Sequence, residues 1–453
     1  MHSESFGNNF TWGVAASAYQ TEGAYLDDNK GLSIWDVFAA TPGKIAFNQN
    51  ANVACNFYNH YMQDLILMHY LNCKNFRFSI SWPRIFPEGT GKVNELGLDF
   101  YDRLIDFSLE MGIEPWVTLY HWDLPYALEQ KGGWTNREML NWFASYAEVC
   151  ARKFGDRVKN WMVLNEPMVF TGAGYFLGLH APGKKGLSNF LAAAHHAVLC
   201  QAIGGHVLKS VNGNCNVGTT FSCSHIEPVD ENKLNVEAAA RIDVLTNRMF
   251  IEPLIGMGYP INDLRILSQV EKYMHSEDEK LMKFDMDFIG LQNYTREIVR
   301  YSHFMPYVNA KVVKASARGV ETTTMNWEVY PRSIYHMLKK FAAYKGISNI
   351  IVTENGAAFK DELIDGRVDD PQRVAYLNAY LQQVLRAKNE GVPVNGYFAW
   401  SFTDNFEWAE GYRQRFGLVY VDFATQRRYV KSSGYWLRDF LAPVMENQMQ
   451  QAV

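Results

Sequence analysis

Two stretches of this chain end in a carboxylate where a buried strand would end. In Ile350-Ile351-Val352-Thr353-Glu354-Asn355-Gly356, three β-branched apolar residues lead into an acid, an amide and a glycine that lets the backbone turn. In Trp161-Met162-Val163-Leu164-Asn165-Glu166-Pro167 an apolar run again leads into an amide and an acid. A carboxylate ending a strand buried on both faces is costly to desolvate and has no packing role. In parallel α/β folds that end is also where ligands sit. The competing structural reading is a strand-end Glu satisfied by a neighbouring Arg or a helix N-terminus, because structural ion pairs are common. The second stretch of the same kind shifts the balance. Two acids meeting across one barrel mouth are the minimum equipment for cleaving a glycosidic bond.

Positioning them requires a repeating scaffold, and the chain carries one. Short apolar or β-branched runs occur at 11–15, 75–80, 116–119, 161–164, 217–221, 288–291, 350–353 and 396–400. Between them, segments such as 98–111, 137–154, 188–211, 332–345 and 370–390 space apolar residues at helical period with charges opposite. Asp370-Pro371 offers an N-cap followed by proline at the first helical position. Strand then helix, eight times, predicts a closed (β/α)8 TIM barrel. No Pro/Gly/Ser linker or composition shift divides the chain, so residues 1–453 read as a single domain. Long connections after strands 1, 4, 5, 6 and 8 would wall a deep pocket.

Bulk properties narrow the function. The 453 residues are 48% hydrophobic and 20% charged, ordinary for a large globular protein. The net charge of -5, from 43 basic and 48 acidic residues without charge blocks, argues against nucleic acid and anionic membrane as partners. Six scattered cysteines with no CxxC pair suit buried free thiols in a reducing compartment. The first nine residues are polar and no apolar run is expected to reach a membrane span, so the expected setting is cytoplasmic and soluble. Aromatics are the one excess, at 14% with 12 Trp and 25 Tyr. Most would fill the core, but Trp and Tyr faces also stack on sugar rings.

The strand ends deliver polar groups to one face: Gln20 and Glu22 after the first run, Arg77 in the second, Tyr120-His121-Trp122 at the third. Asn165-Glu166, Gln292-Asn293-Tyr294, Glu354 and Trp400 follow at later ends, with Asn405-Phe406-Glu407-Trp408 close behind. Such a set suits a neutral, hydroxyl-rich ligand, a small-molecule β-glycoside or oligosaccharide, better than phosphate or metal. These residues also carry a resemblance. Phe10-Thr11-Trp12-Gly13, Tyr19-Gln20-Thr21-Glu22-Gly23, Phe76-Arg77-Phe78-Ser79-Ile80-Ser81-Trp82-Pro83-Arg84, Thr118-Leu119-Tyr120-His121-Trp122-Asp123-Leu124-Pro125, Asn165-Glu166-Pro167, Thr353-Glu354-Asn355-Gly356 and Asp404-Asn405-Phe406-Glu407-Trp408-Ala409-Glu410-Gly411-Tyr412 occur in order at barrel spacing. Together they resemble glycoside hydrolase family 1, the β-glucosidase family.

The resemblance implies a retaining exo-acting β-glycosidase working by double displacement, without a cofactor or metal. It makes Glu354 the nucleophile and Glu166 the acid/base, with carboxyls about 5 Å apart. Arg77 and Tyr294 match partners of the nucleophile, with Asn165 beside them. Glycone recognition is implied for Gln20, His121, Trp122, Asn165, Glu407 and Trp408, with Trp400 as the floor. Trp327 resembles the aglycone-side wall and Phe416 the aromatic closing the glycone end; a surface-packed Trp and a plain core Phe are the competing readings. His121 alone would read as a satisfied core histidine, but its place at a strand end between two aromatics argues for the pocket.

One departure stands out. The family reads Asn-x-Tyr-Thr after strand 6, whereas this chain has Gln292-Asn293-Tyr294-Thr295. Either Gln292 occupies the asparagine's place with one more methylene, or Asn293 takes that role by a local shift. Because Glu166 is not glutamine, the chain does not read as a thioglucosidase lacking its own acid/base. A carboxylate at Glu407 would repel a 6-phosphate. No HExxH, GxSxG or phosphate-loop motif occurs, so metalloprotease, serine-hydrolase and nucleotide chemistries lack support. Rival readings are galactose or fucose specificity in the same family, an open-cleft endo-hydrolase, and a non-catalytic sugar-binding barrel. Oligomeric state is left open.

Overall fold

The computed structural model of the chain describes residues 2–443. The single-domain expectation therefore extends at both ends beyond the described residues. Eight parallel strands close a barrel: β1 (Thr11–Ala15), β2 (Asn75–Ser79), β3 (Glu114–Tyr120), β4 (Asn160–Asn165), β5 (Asn216–Ser222), β6 (Phe288–Gln292), β7 (Ile350–Asn355) and β8 (Val394–Trp400). Each pairs with its sequence neighbours, and β1 closes on β8 in register from Thr11↔Gly396 to Ala15↔Trp400. All eight expected strands are present, with ends displaced by at most a few residues.

Trp116, Met162, Phe288, Ile351 and Phe398 point inward and form one buried cluster, so the barrel is plugged by side chains beneath its upper rim. Gly13 makes room for that plug: a Cβ there would lie 2.4 Å from the Phe398 ring. Gly356 is needed for closeness rather than for turning. A Cβ at that position would lie 1.8 Å from the Trp400 carbonyl oxygen, so glycine lets the ends of β7 and β8 meet.

Helices Glu95–Glu110, Met139–Phe154, Leu187–Val211, Arg332–Ala342 and Pro371–Asn389 cover the outside, where their periodicity placed them. Two expectations need correction. Leu187–Val211 is long and apolar enough to cross a membrane, but 83% of its apolar window is buried within the protein. It is a core helix whose polar His195 and His196 bond internally, to Asp278 at 2.7 Å and to the Trp134 carbonyl at 2.8 Å. Helix Pro371–Asn389 does start at its proline, but Asp370 does not cap it. The Asp370 carboxylate accepts instead from Arg373 and from Ser433 N and Oγ, at 2.7 and 2.6 Å for the serine.

Above the rim the connections are structured. Strand His225–Pro228 after β5 joins Arg296–Tyr301 and Ala310–Val312 after β6 in a three-stranded sheet. The loop after β8 is held by buried charge. Asp404 accepts from Lys431 and Arg415, both at 2.6 Å, and from Gly417 N at 3.0 Å. Lys431 also reaches Asp361 at 2.5 Å, which pairs with Arg373 at 2.9 Å. This chain of ions ties the loop carrying Glu407 and Trp408 to the loop after β7.

Candidate active site

Glu354 ends β7 with both carboxylate oxygens occupied. Arg77, fully buried on β2, donates Nη1 to Oε1 in an ion pair, and Tyr294 donates its hydroxyl to Oε2 at 2.6 Å. Burial raises the Glu354 carboxyl, and Arg77 and Tyr294 oppose the rise. Glu166, just past β4, lines the same cavity without a cation bonded to its oxygens. Burial first, and then the charge of Glu354, push its carboxyl well above the ordinary range, with Ser222 and Arg77 working the other way. One acid is equipped to hold charge, the other to hold a proton. That is the division of labour acetal cleavage requires.

Glu166 is also placed by its backbone. Its φ of +46° is left-handed, and Pro167 opens the short helix Pro167–Thr171 behind it. Trp122 and Trp408, also on the cavity, share positive φ, at +79° and +46°. For residues with a Cβ this costs roughly 1–2 kcal/mol each, sustained by the surrounding packing.

Asn165 is the hub between Arg77, which holds Glu354, and His121 on the cavity wall. Its Oδ1 accepts from Arg77 Nη2 at 2.5 Å, Gln292 Nε2 at 2.8 Å and Thr220 Oγ1 at 3.0 Å. Three donors on one oxygen fix the amide's orientation, so Nδ2 points to His121 Nε2, 3.0 Å away. That nitrogen must then accept, which puts the imidazole proton on Nδ1. Burial and the Arg77 charge hold His121 well below its ordinary pKa, hence neutral. Trp122 Nε1 donates to the Asn165 carbonyl at 2.9 Å.

At the opposite wall Gln20 donates Nε2 to Glu407 and to Asn405 Oδ1, both at 3.2 Å, while Ser17 fixes its oxygen at 2.7 Å. Burial and the nearby Glu354 charge push Glu407 up to about 8. Trp408 lies against Trp122, ring centres 4.4 Å apart, and stacks parallel on Tyr19. Trp327 lies 5.3 Å from the Tyr294 ring and 6.0 Å from Phe416. Of the expected residues, Glu166, Glu354, His121, Trp122, Tyr294, Trp327, Trp400, Glu407, Trp408 and Phe416 line one cavity of about 330 Å³. Arg77, Asn165 and Gln20 stand directly behind that lining.

Two expectations are corrected. Gln292 is buried and outside the lining; its amide supports Asn165 and Thr220 instead. Asn293 turns the other way, donating to the carbonyls of Cys223 and Thr295 and to Ser333. Neither faces the cavity, and Asn293 cannot replace an asparagine there. Strand alternation turns Asn293 outward between Gln292 and Tyr294, whereas Gln292 points inward but has its amide taken up by Asn165 and Thr220. The lining also contains residues that the strand-end survey missed, among them Ser222, Cys223, Ser224, His180, Glu297 and Glu410. Ser222 ends β5 and Cys223-Ser224 follow it, and the rule applied to the other strands would have found them. His180, Glu297 and Glu410 lie in long connections, where periodicity carries no signal. Among the described residues, no group of three or more His, Cys, Asp or Glu gathers as a metal site would require.

The architecture is shared with characterised proteins. "Beta-glucosidase A" of Thermotoga maritima is 43% identical over 438 residues, spanning 96% of this chain and 97% of that one. A "1,4-beta-D-glucan glucohydrolase" of Thermotoga neapolitana is 42% identical over 435 residues, 96% of this chain and 97% of its own. Among solved structures, the family 1 β-glucosidase from T. maritima superposes with a TM-score of 0.92 at 42% identity, covering 95% of this chain and 97% of that one. The same enzyme in complex with isofagomine lactam gives 0.91, over 96% and 98%. With residues 2–445 matching the family model and the two acids sharing one cavity, the chain belongs to glycosyl hydrolase family 1.

Proposed function

We propose that the protein is a retaining, exo-acting β-glucosidase that removes terminal β-D-glucosyl residues through a covalent glycosyl-enzyme. The observation that carries this reading is the asymmetry of the acid pair. Glu354 has both oxygens held by a cation and a phenol, while Glu166, in the same cavity, is raised by burial and by the charge of Glu354. Glu354 attacks the anomeric carbon as Glu166 gives its proton to the departing oxygen. Once Glu354 is esterified its charge is gone, and the largest charge effect that raised Glu166 goes with it. Glu166 then ionises more readily and takes a proton from the water that frees the sugar.

Gln20, His121, Trp122, Asn165, Glu407 and Trp408 hold the glycone hydroxyls over Trp400, with Phe416 and Trp327 as aromatic walls. Glu407, pushed up to about 8, is largely protonated at neutral pH and can both donate to and accept from a hydroxyl, which weakens the charge repulsion of a 6-phosphate expected from the sequence. Relatives named as β-glucosidases favour glucose over galactose or fucose. Six buried free cysteines support a cytoplasmic setting.

A 2-deoxy-2-fluoro-β-glucoside carrying a good leaving group tests the reading. Mass spectrometry of the digested protein should find the sugar on Glu354, and NMR of the first product should show the β-anomer. A label elsewhere, or an inverted product, would sink it.

A further inference from the structure

The cavity has a closed end and a mouth. Gln20, His121 and Glu407 at the closed end are buried, whereas Ser224, Glu297 and Trp327 are half-exposed. On the reading above, from which this inference follows, the cleaved glucose fills the closed end. The leaving group must then extend past Glu166 toward the mouth. Its surroundings there decide what it can be.

Glu297 is the unexplained group on that path. It lies on strand Arg296–Tyr301, next to Arg296, whose side chain turns away to Glu227 and Glu328. The segment carrying Trp327 is fastened alongside, with Thr295 Oγ1 donating to the Glu328 carbonyl at 3.0 Å. Glu297 and Trp327 thus stand on adjoining segments of one wall. Yet the Glu297 carboxyl makes no hydrogen bond or ion pair among the described residues. The cation that acts on it, Arg318, is committed to Glu328 at 2.7 Å. Burial and the Glu328 charge push Glu297 up to about 7, with Arg318 opposing. A half-buried carboxyl on the cavity wall with no partner among the described residues is free to take one from a ligand. An aromatic face beside a carboxyl is also the pairing that grips a sugar ring, one by its apolar face and one by its hydroxyls.

We propose that Glu297 is a specificity-determining residue that binds hydroxyls of the leaving-group sugar against Trp327. The preferred substrate class is then a β-linked oligosaccharide, not a simple aryl or alkyl glucoside. The test compares kcat/KM of the full-length wild type, E297L and E297Q on a β-1,4-linked glucose disaccharide and on 4-nitrophenyl β-glucoside. In E297L the disaccharide value should fall on the order of ten- to a hundredfold further than the aryl value, as expected for a lost hydrogen bond to an ionisable group. E297Q keeps the size and one acceptor oxygen, should fall between, and serves if E297L does not fold. Equal losses on both substrates would overturn the inference while leaving the β-glucosidase reading intact. A wild type inactive on both would overturn that reading and this one together. A third substrate, an aminoalkyl glucoside, guards the chemistry: selective loss there with the disaccharide spared would mean cation recognition and would also overturn the hydroxyl assignment.

Discussion

Glu166 and Glu354 share a cavity but not an environment, and the difference fixes the order in which they lose protons. Glu354 must be ionised to attack, so kcat/KM falls as pH drops through its pKa. Glu166 must be protonated to assist departure, so kcat/KM falls as pH rises through its own, which burial and the Glu354 charge hold high. Replacing Glu354 by Gln removes one of those causes, so Glu166 should titrate lower in E354Q than in the wild type. A 13C-carboxyl NMR titration reads this directly, and an unmoved Glu166 would show that the two acids do not share a field. E166Q should slow release of a poor leaving group about 10²–10⁴-fold, with a much smaller loss for a dinitrophenolate, which needs no proton. Gln292 acts one layer back. Q292A takes one of three donors from Asn165, so kcat/KM on a glucoside should drop roughly fivefold to tenfold. The matching 2-deoxyglucoside should lose less if Asn165 serves the 2-hydroxyl; equal losses would mean a purely structural effect. The acids were legible in the sequence because two apolar strands end alike in a carboxylate beside an amide, where one alone would have read equally well as a structural ion pair. The role left open for Asn293 fails because one residue along a strand reverses the face, and the engagement of Gln292 with Asn165 was not legible because the two stand 127 residues apart.

At the scale of elements, eight strands and five helices were legible from period and β-branching, since a strand buried on both faces has almost no other composition open to it. The loops were not, because their order rests on long-range charge. Asp404 belongs to the same run as Glu407 and Trp408, and its sequence position carries no sign of its role. It is the anchor of the ion chain through Lys431, Arg415, Asp361 and Arg373, among residues distant in sequence. Lys431 has no exposed surface, and removing its charge leaves Asp361 with Arg373 alone and Asp404 with Arg415 alone, two buried carboxylates each short of one cation. K431M should lower the unfolding free energy by about 3–5 kcal/mol in urea denaturation. The folded fraction should bind glucose-like inhibitors more weakly, because the loop bearing Glu407 is released. If K431M unfolds like the wild type, the loop is held by its aromatic packing and the ion chain is incidental.

Over the whole molecule, the aromatic excess divides as composition suggested, most of it in the shell between barrel and helices and a minority on the cavity. Helix Leu187–Val211 shows where composition misleads: buried on most of its surface, it needs the apolarity of a membrane span without being in a membrane. The cysteines carry a sharper consequence. All six are free and buried, so no disulfide supports the fold and reductant should leave the melting temperature unchanged. Burial pushes Cys55 and Cys73 up to about 12, and at neutral pH only on the order of one molecule in 10⁵ then carries either thiolate. Cys223 differs in position. Its thiol is also held well above the ordinary range by burial and by Glu166, but it lines the active cavity, where a small reagent can reach it. Titration of the native protein with a thiol reagent should therefore show at most one slowly reacting group, identified by mass spectrometry as Cys223, and six after denaturation. A sugar-like inhibitor bound between Glu166 and Trp408 should slow that one reaction and no other. Rapid modification of several thiols in the native state would contradict the packing around the barrel, and labelling of Cys223 at the same rate with the inhibitor bound would show that the ligand sits elsewhere.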